Sequence, residues 1–363
     1  MQVETLLPLG KVDPGLRAPE VPFDITTVGE QARLVEELGY DRLVFEETKD
    51  DPFVVLAAAA QATSTLGLGT SVAIAFPRSP TSMALTAWSM QRHCAGRFAL
   101  GLGSQVKGHI ERRYGMAWRA PAPWMRDYVR ALRAVWRTWQ DGVPLAVDND
   151  HYRLSLMVPL FDAGPIDHPD IPVLLAAVNP LMCSVAGEVA DGIRPHPVCT
   201  PSYIEQVMLP AVGKGAGRAG RALERFSVNM KPLVATAPDE ERLLPKVRDA
   251  RARIAFYAST PSYRAPFDHL GLGALADEAK ALSKAQRWEE LPPLIDDDVL
   301  HTFVTIGTYD EIGARLHDRF GQVVTHCEFS VAVGGEADRS ALAAMVDDLH
   351  ARDDTAARAT IAG

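Results

Sequence analysis

Residues 66–105 read LGLGTSVAIAFPRSPTSMALTAWSMQRHCAGRFALGLGSQ, and this stretch decides the fold. Two short runs of strand composition, 66–74 and 97–103, enclose a segment that opens on Ser79-Pro80 and keeps helical spacing as far as Cys94. Strand, helix and strand in that order make a βαβ unit, and such a crossover brings the two strands back parallel.

The same alternation extends in both directions. Towards the N-terminus, 2–8 (QVETLLP) and 42–46 read as strands. Thr26 or Thr27 caps the helix between them, which ends near Gly39, and Asp51-Pro52 opens an alanine-rich helix to about residue 64. Towards the C-terminus, strands are expected at 171–178, 192–196, 226–237 and 323–333, with helices at 180–190, from 201, from 239, and at 309–320 and 338–350. Eight strands with seven or eight helices between them fit an α/β fold of the (β/α)8 TIM-barrel type better than an open doubly wound sheet. One domain over 1–363 is expected, with insertions at about 107–170 and 260–300. The first insertion carries a helix at 125–139 and a hairpin turning on Asp148-Asn149-Asp150.

Composition narrows the function. With 47% hydrophobic and 23% charged residues the 363-residue chain has the make-up of an ordinary globular protein. Lys and Arg number 37 against 46 acids, a net −9 that disfavours nucleic acid and anionic lipid as partners. No apolar stretch approaches the ~20 residues of a membrane span, and the start MQVETLLPLGK lacks a basic, then apolar, leader, so a cytoplasmic protein is expected. Cys94, Cys183, Cys199 and Cys327 are scattered without a C-x-x-C pair, which points to buried thiols and no metal site. The G-x-G-x-x-G at 215–220 follows a helix where a dinucleotide loop must follow a strand, and reads as a solvated basic loop.

Ligands of such barrels gather at the carboxyl ends of the strands. Thr70, Ser71 and Val72 end the third strand and Gly103, Ser104 and Gln105 the fourth, small residues that let a flat ring approach the backbone. Lys107, Arg112 and Arg113 follow at once, a basic segment suited to an anionic tail. Ala177, Val178 and Asn179 lead into a helix at Pro180 whose free N–H groups suit a phosphate. Glu46 and Glu47 end the second strand. Alternation along a strand allows only one of them into the barrel mouth, where it would exchange a proton, leaving the other as a flanking or salt-bridge residue. His196, ending the sixth strand, is the second candidate for proton transfer.

Taken together, 66–80 (LGLGTSVAIAFPRSP), 97–105, HYRLS at 151–155, IPVLLAAVNPLMCSVAGEVADG at 171–192 and VMLPAV at 207–212 resemble the luciferase-like flavin and deazaflavin oxidoreductases, most closely their F420-dependent branch. The resemblance runs over nearly the whole chain, and the alanine-glycine-glutamate run before Ala190-Asp191-Gly192 is among its most specific pieces. It implies coenzyme F420 at the strand ends, its ring over a bulge in the third strand with a cis Ser71–Val72 peptide. It also implies that Gly103, Ser104 and Gln105 flank the linker, that Ala177, Val178 and Asn179 meet the phosphate, and that the basic segment meets the glutamate tail. Glu46 belongs to the same surround.

The chain departs from the family's sugar-phosphate dehydrogenases at four positions. Glu47 stands where they have histidine, Val106 where they have glutamate, and His196 and Cys199 where threonine and lysine grip the phosphate, so a sugar phosphate is not the expected substrate. The expected activity is hydride transfer between the deazaflavin C5 and another small organic molecule, with Glu47 or His196 handling the proton and a homodimer as the assembly. The alternatives are a reduced-FMN monooxygenase of the same superfamily and a barrel that binds a flavin or deazaflavin without turnover.

Overall fold

The computed structural model describes residues 1–11 and 23–352. Eight parallel strand positions close into a barrel: Gln2–Leu6, Arg42–Phe45, the split third strand Gly67–Thr70 and Ala73–Ile74, Phe98–Gly103, Val173–Ala177, Gly192–Pro195, Ser227–Met230 and His326–Glu328. Each pairs with the next in chain order, and the last returns to the first through Val3↔Cys327. The (β/α)8 expectation is met. The third strand breaks at Ser71–Val72, whose peptide is cis as the resemblance implies, and both halves still pair with Phe98–Gly103.

Local chemistry explains the helices. Asp51 caps Pro52–Ala62 by accepting from Phe53 N–H, and Ser79 caps Pro80–His93 by accepting from Ser82 N–H. Proline in the first helical turn sacrifices no bond there, because those N–H groups have no intrahelical acceptor. Asp24, not Thr26 or Thr27, holds the start of the first helical stretch through Thr26 N–H.

Two expectations need correction. The run 226–237 is not one strand: Lys231 and Pro232 interrupt it, and Leu233–Ala237 leaves the barrel to pair with Val304–Thr308 in a separate two-stranded parallel sheet. Pro232 has no N–H to give to a ladder. The glycines at 215–220 form no loop. They close the helix Leu209–Ala219, with Gly220 in the left-handed conformation as its cap. A Cβ on Gly215 would stand 1.8 Å from the Ser184 carbonyl oxygen, so close crossing of the helix Pro180–Val189 requires that glycine.

Most buried apolar side chains form one cluster that includes the barrel and its surrounding helices. A second cluster joins the outer sheet to the helix Glu240–Ala258 and the helices that follow, with Ile254, Phe267 and Phe303 buried in it. This second assembly delivers Tyr257, Ser262 and Tyr263 to the barrel's carboxyl end. The hairpin forms as Val147–Asp148 against Arg153–Leu154, and all four cysteines are buried and free.

Candidate active site

A cavity of about 830 Å³ opens at the carboxyl ends of the strands. Its walls include Ser71 and Val72, Gly103 to Lys107, Ala176 to Asn179, and His196. Thr70 is absent from the wall. It is buried, and its hydroxyl donates to Gly101 O at 2.6 Å, tying the split strand to its neighbour. The glycines serve that contact as well: a Cβ on Gly101 would meet Thr70 O at 2.0 Å, and one on Gly103 would meet Val72 Cγ2 at 2.6 Å. Passage of the split strand therefore demands them before any ligand does.

Glu46 and Glu47 both line the cavity, against the expectation that only one can. The second strand ends at Phe45, and beyond it the two-residue alternation no longer dictates where side chains point. Glu46 pairs with Lys11. Glu47 accepts from Ile74 N–H at 2.8 Å and from Arg78 Nη1 at 2.7 Å, and Arg78 reaches on to Asp51 at 2.9 Å. Burial, and after it the Glu47 charge, raises the Tyr114 hydroxyl pKa.

Lys107 opens the helix Lys107–Arg112 at the cavity edge, its side chain largely exposed and 3.9 Å from Glu111. Arg112 and Arg113 lie outside the wall, and Arg113 donates to the Thr48 carbonyl at 3.3 Å. Gln105 adopts a left-handed φ of 55°, and its side-chain oxygen accepts from Val106 N–H. Asn179 precedes the helix Pro180–Val189 without a side-chain capping bond. His196 is sandwiched by aromatic rings, stacked on Tyr263 with centroids 3.7 Å apart and edge-on to Tyr257 at 4.7 Å. Cys199 is fully buried, and burial pushes its thiol pKa well up.

The floor holds residues that sequence reasoning missed. Arg194 Nη2 donates to Glu4 Oε1 at 2.6 Å and to Glu328 Oε2 at 3.0 Å, all three nearly inaccessible. Asn229, Lys231, Arg194 and Glu328 face the cavity together. A signal existed: Glu4, Arg194 and Glu328 are charged residues inside barrel strands, and such residues are almost never buried unless paired. Burial alone would raise the Glu4 carboxyl, but Arg194, Arg42 and His326 outweigh it and hold the pKa at about 2. Burial and Arg42 lower His326 to about 4.

Residues 1–326 match the family model for luciferase-like monooxygenases. The chain belongs to the luciferase-like monooxygenase family. This luciferase-like barrel is 40% identical over 304 residues to an uncharacterized protein of Mycobacterium tuberculosis, covering 84% of this chain and 89% of that one. It is 27% identical over 305 residues to a putative coenzyme F420-dependent oxidoreductase of the same species, covering 77% and 84%. The coenzyme F420-dependent tetrahydromethanopterin reductase of Methanopyrus kandleri superposes with a TM-score of 0.73 at 19% identity, over 97% of this chain and 99% of that one. The second of these is named a putative oxidoreductase and the third a reductase. Among the described residues no helix is long and apolar enough to cross a membrane, and no group of three or more His, Cys, Asp or Glu could hold a metal ion.

Proposed function

We propose that this chain is an F420-dependent oxidoreductase that moves a hydride between the deazaflavin and a small organic substrate. One observation carries the reading: the cavity wall of small residues, Gly103 and Ser104, runs directly into Lys107 and the basic segment with Arg112 and Arg113. A flat ring against the small wall and a multiply anionic tail along the basic segment use both features. The relatives named for coenzyme F420 support the same reading. When bound, the coenzyme supplies a hydride donor or acceptor at C5.

The protein's own part is positioning and proton handling. Ala177, Val178 and Asn179 would meet the phosphate, and Gly103, Ser104 and Gln105 the linker. Glu47 has its carboxylate committed to Arg78 and Ile74 N–H, so its part is to hold the split third strand against the second. Glu46, paired with Lys11, borders the same wall. His196, fixed between two tyrosines, orients the substrate. A sugar phosphate does not suit the site, because His196, stacked on Tyr263, and the fully buried Cys199 stand where the family's threonine and lysine grip the phosphate, and neither supplies that cationic grip. A cytoplasmic homodimer completes the proposal, and sedimentation measures that assembly.

Calorimetric titration with F420 and FMN at two ionic strengths is the test. F420 should bind more tightly, and its affinity should fall with salt. Equal, salt-independent affinities would overturn the assignment. Oxygen uptake with reduced FMN would favour the monooxygenase reading that the family's name carries.

A further inference from the structure

Glu328 ends the last barrel strand, His326–Glu328, and its carboxylate reaches the cavity floor. Oε2 is held from two sides, by Arg194 Nη2 at 3.0 Å and by Ser71 Oγ at 3.3 Å. Oε1 is buried and receives no hydrogen bond, the Lys231 ammonium standing 3.6 Å away. Arg194 Nη1 and Asn229 Oδ1 are likewise buried without hydrogen-bond partners, and all four residues line the one cavity. Buried polar atoms normally find partners, so three left over on one cavity floor mark the seat of a polar ligand group.

The charges around Glu328 come from four strands: Glu4 on the first, Glu46 beyond the second, Arg194 on the sixth and Lys231 beyond the seventh. Burial is the largest influence and raises the carboxyl pKa. Lys231 and Arg194 oppose that rise, Glu4 and Glu46 add to it, and the net direction is upward. The contact with Ser71 sets this carboxyl beside the split third strand, at the small-residue wall proposed for the ring.

We propose that Glu328 Oε1 exchanges the reaction's proton with a substrate oxygen or nitrogen that accepts from Arg194 Nη1. This rests on the F420 reading and names its substrate class, a polarised C=O or C=N group or its reduced counterpart. In the reducing direction the π bond breaks, the carbon takes the hydride supplied by the reduced coenzyme, and the heteroatom takes the Glu328 proton, leaving a carboxylate. In the oxidising direction the carboxylate takes the O–H or N–H proton as the hydride leaves carbon for the oxidised coenzyme. Arg194 Nη1 stabilises negative charge on the heteroatom where it develops.

Infrared titration of the whole protein tests this without a turnover assay. Wild type should show a protonated-carboxyl band whose midpoint lies above the ordinary glutamate range, and E328Q should lack it. With F420 bound, ¹³C-carbonyl cyclohexanone should show a lowered carbonyl stretching frequency in wild type and a smaller lowering in E328Q, where Arg194 Nη1 is still a donor and the Glu328 proton is gone. A Glu328 that titrates in or below the ordinary range, or a probe frequency indifferent to E328Q, would overturn the proposal and leave Glu328 as a fixed counter-ion of Arg194. Fluorescence titration of F420 separates the two levels of inference. E328Q should bind F420 within about threefold of wild type, whereas failure of wild type itself to bind F420 overturns the coenzyme reading and the proton proposal that rests on it, whatever the carboxyl midpoint.

Discussion

Arg78 Nη1 donates to Glu47 Oε2 at 2.7 Å, joining the segment that follows the split third strand to the end of the second. Glu47 also receives Ile74 N–H at 2.8 Å, so one carboxylate fixes both the backbone and the cation of that segment. A hydrogen bond to a charged group contributes roughly 1.5–3 kcal/mol, enough to define how the cavity wall is held.

Glu47→Gln should therefore act on stability and coenzyme binding together. It keeps the shape but loses the charge opposite Arg78, and a loss of about 1–2 kcal/mol in urea unfolding is expected, with weaker F420 binding. A general base would behave otherwise: affinity intact and turnover down by roughly 10²–10⁴. Unfolding curves and F420 titrations on the same variant distinguish the two roles.

The basic segment is tested by charge removal. Lys107→Ala with Arg112→Ala should lower F420 affinity several-fold at low ionic strength, and the deficit should shrink as salt screens the interaction. FMN, which lacks the anionic tail, should bind both proteins equally. A deficit of the same size for FMN would mean that these cations shape the wall and do not read the tail.

Acid should destabilise the protein in two stages. His326 is held at about 4 against an ordinary 6.5, and Glu4 at about 2 against 4.5. Both folded values lie below the unfolded ones, so each contribution is complete above the unfolded value and is lost as pH falls towards the folded one. Stability should drop between pH 6.5 and 4 as the unfolded chain takes a proton that folded His326 refuses, and again between 4.5 and 2 for Glu4. The combined loss is on the order of a few kcal/mol. Urea midpoints at a series of pH values measure it, and His326→Asn should flatten the upper stage.

The two glycines at 215 and 217 should respond in opposite ways to alanine. Gly215→Ala drives a Cβ to 1.8 Å from the Ser184 carbonyl, while Gly217 has nothing within 4 Å of the added carbon. The first should destabilise by roughly 1–3 kcal/mol through overpacking. The second should stabilise by about 0.5–1 kcal/mol, since it sits inside a helix. Thermal unfolding of both variants checks this, and neither should change F420 binding.

The sequence by itself determined what depends on near neighbours along the chain. Caps such as Asp51 and Ser79, the proline after each, and the alternation of strand-like and helical periods are local, and from them the closed barrel and the end that carries the cavity followed. The outer strand Val304–Thr308 was hidden because its partner Leu233–Ala237 read as a continuation of a barrel strand, although Pro232 marked the break. The directions of Glu46 and Glu47 were decided by tertiary structure, since beyond Phe45 no periodicity constrains them, whereas Arg78, Ile74 and Lys11 do. The floor was the least legible part. Glu4 and Arg194 meet across 190 positions of sequence, and Arg194 and Glu328 across 134. Such charges tolerate burial only because barrel closure brings their partners within hydrogen-bond distance. Spacing along the chain carries no information about that meeting; the order of the strands around the barrel does.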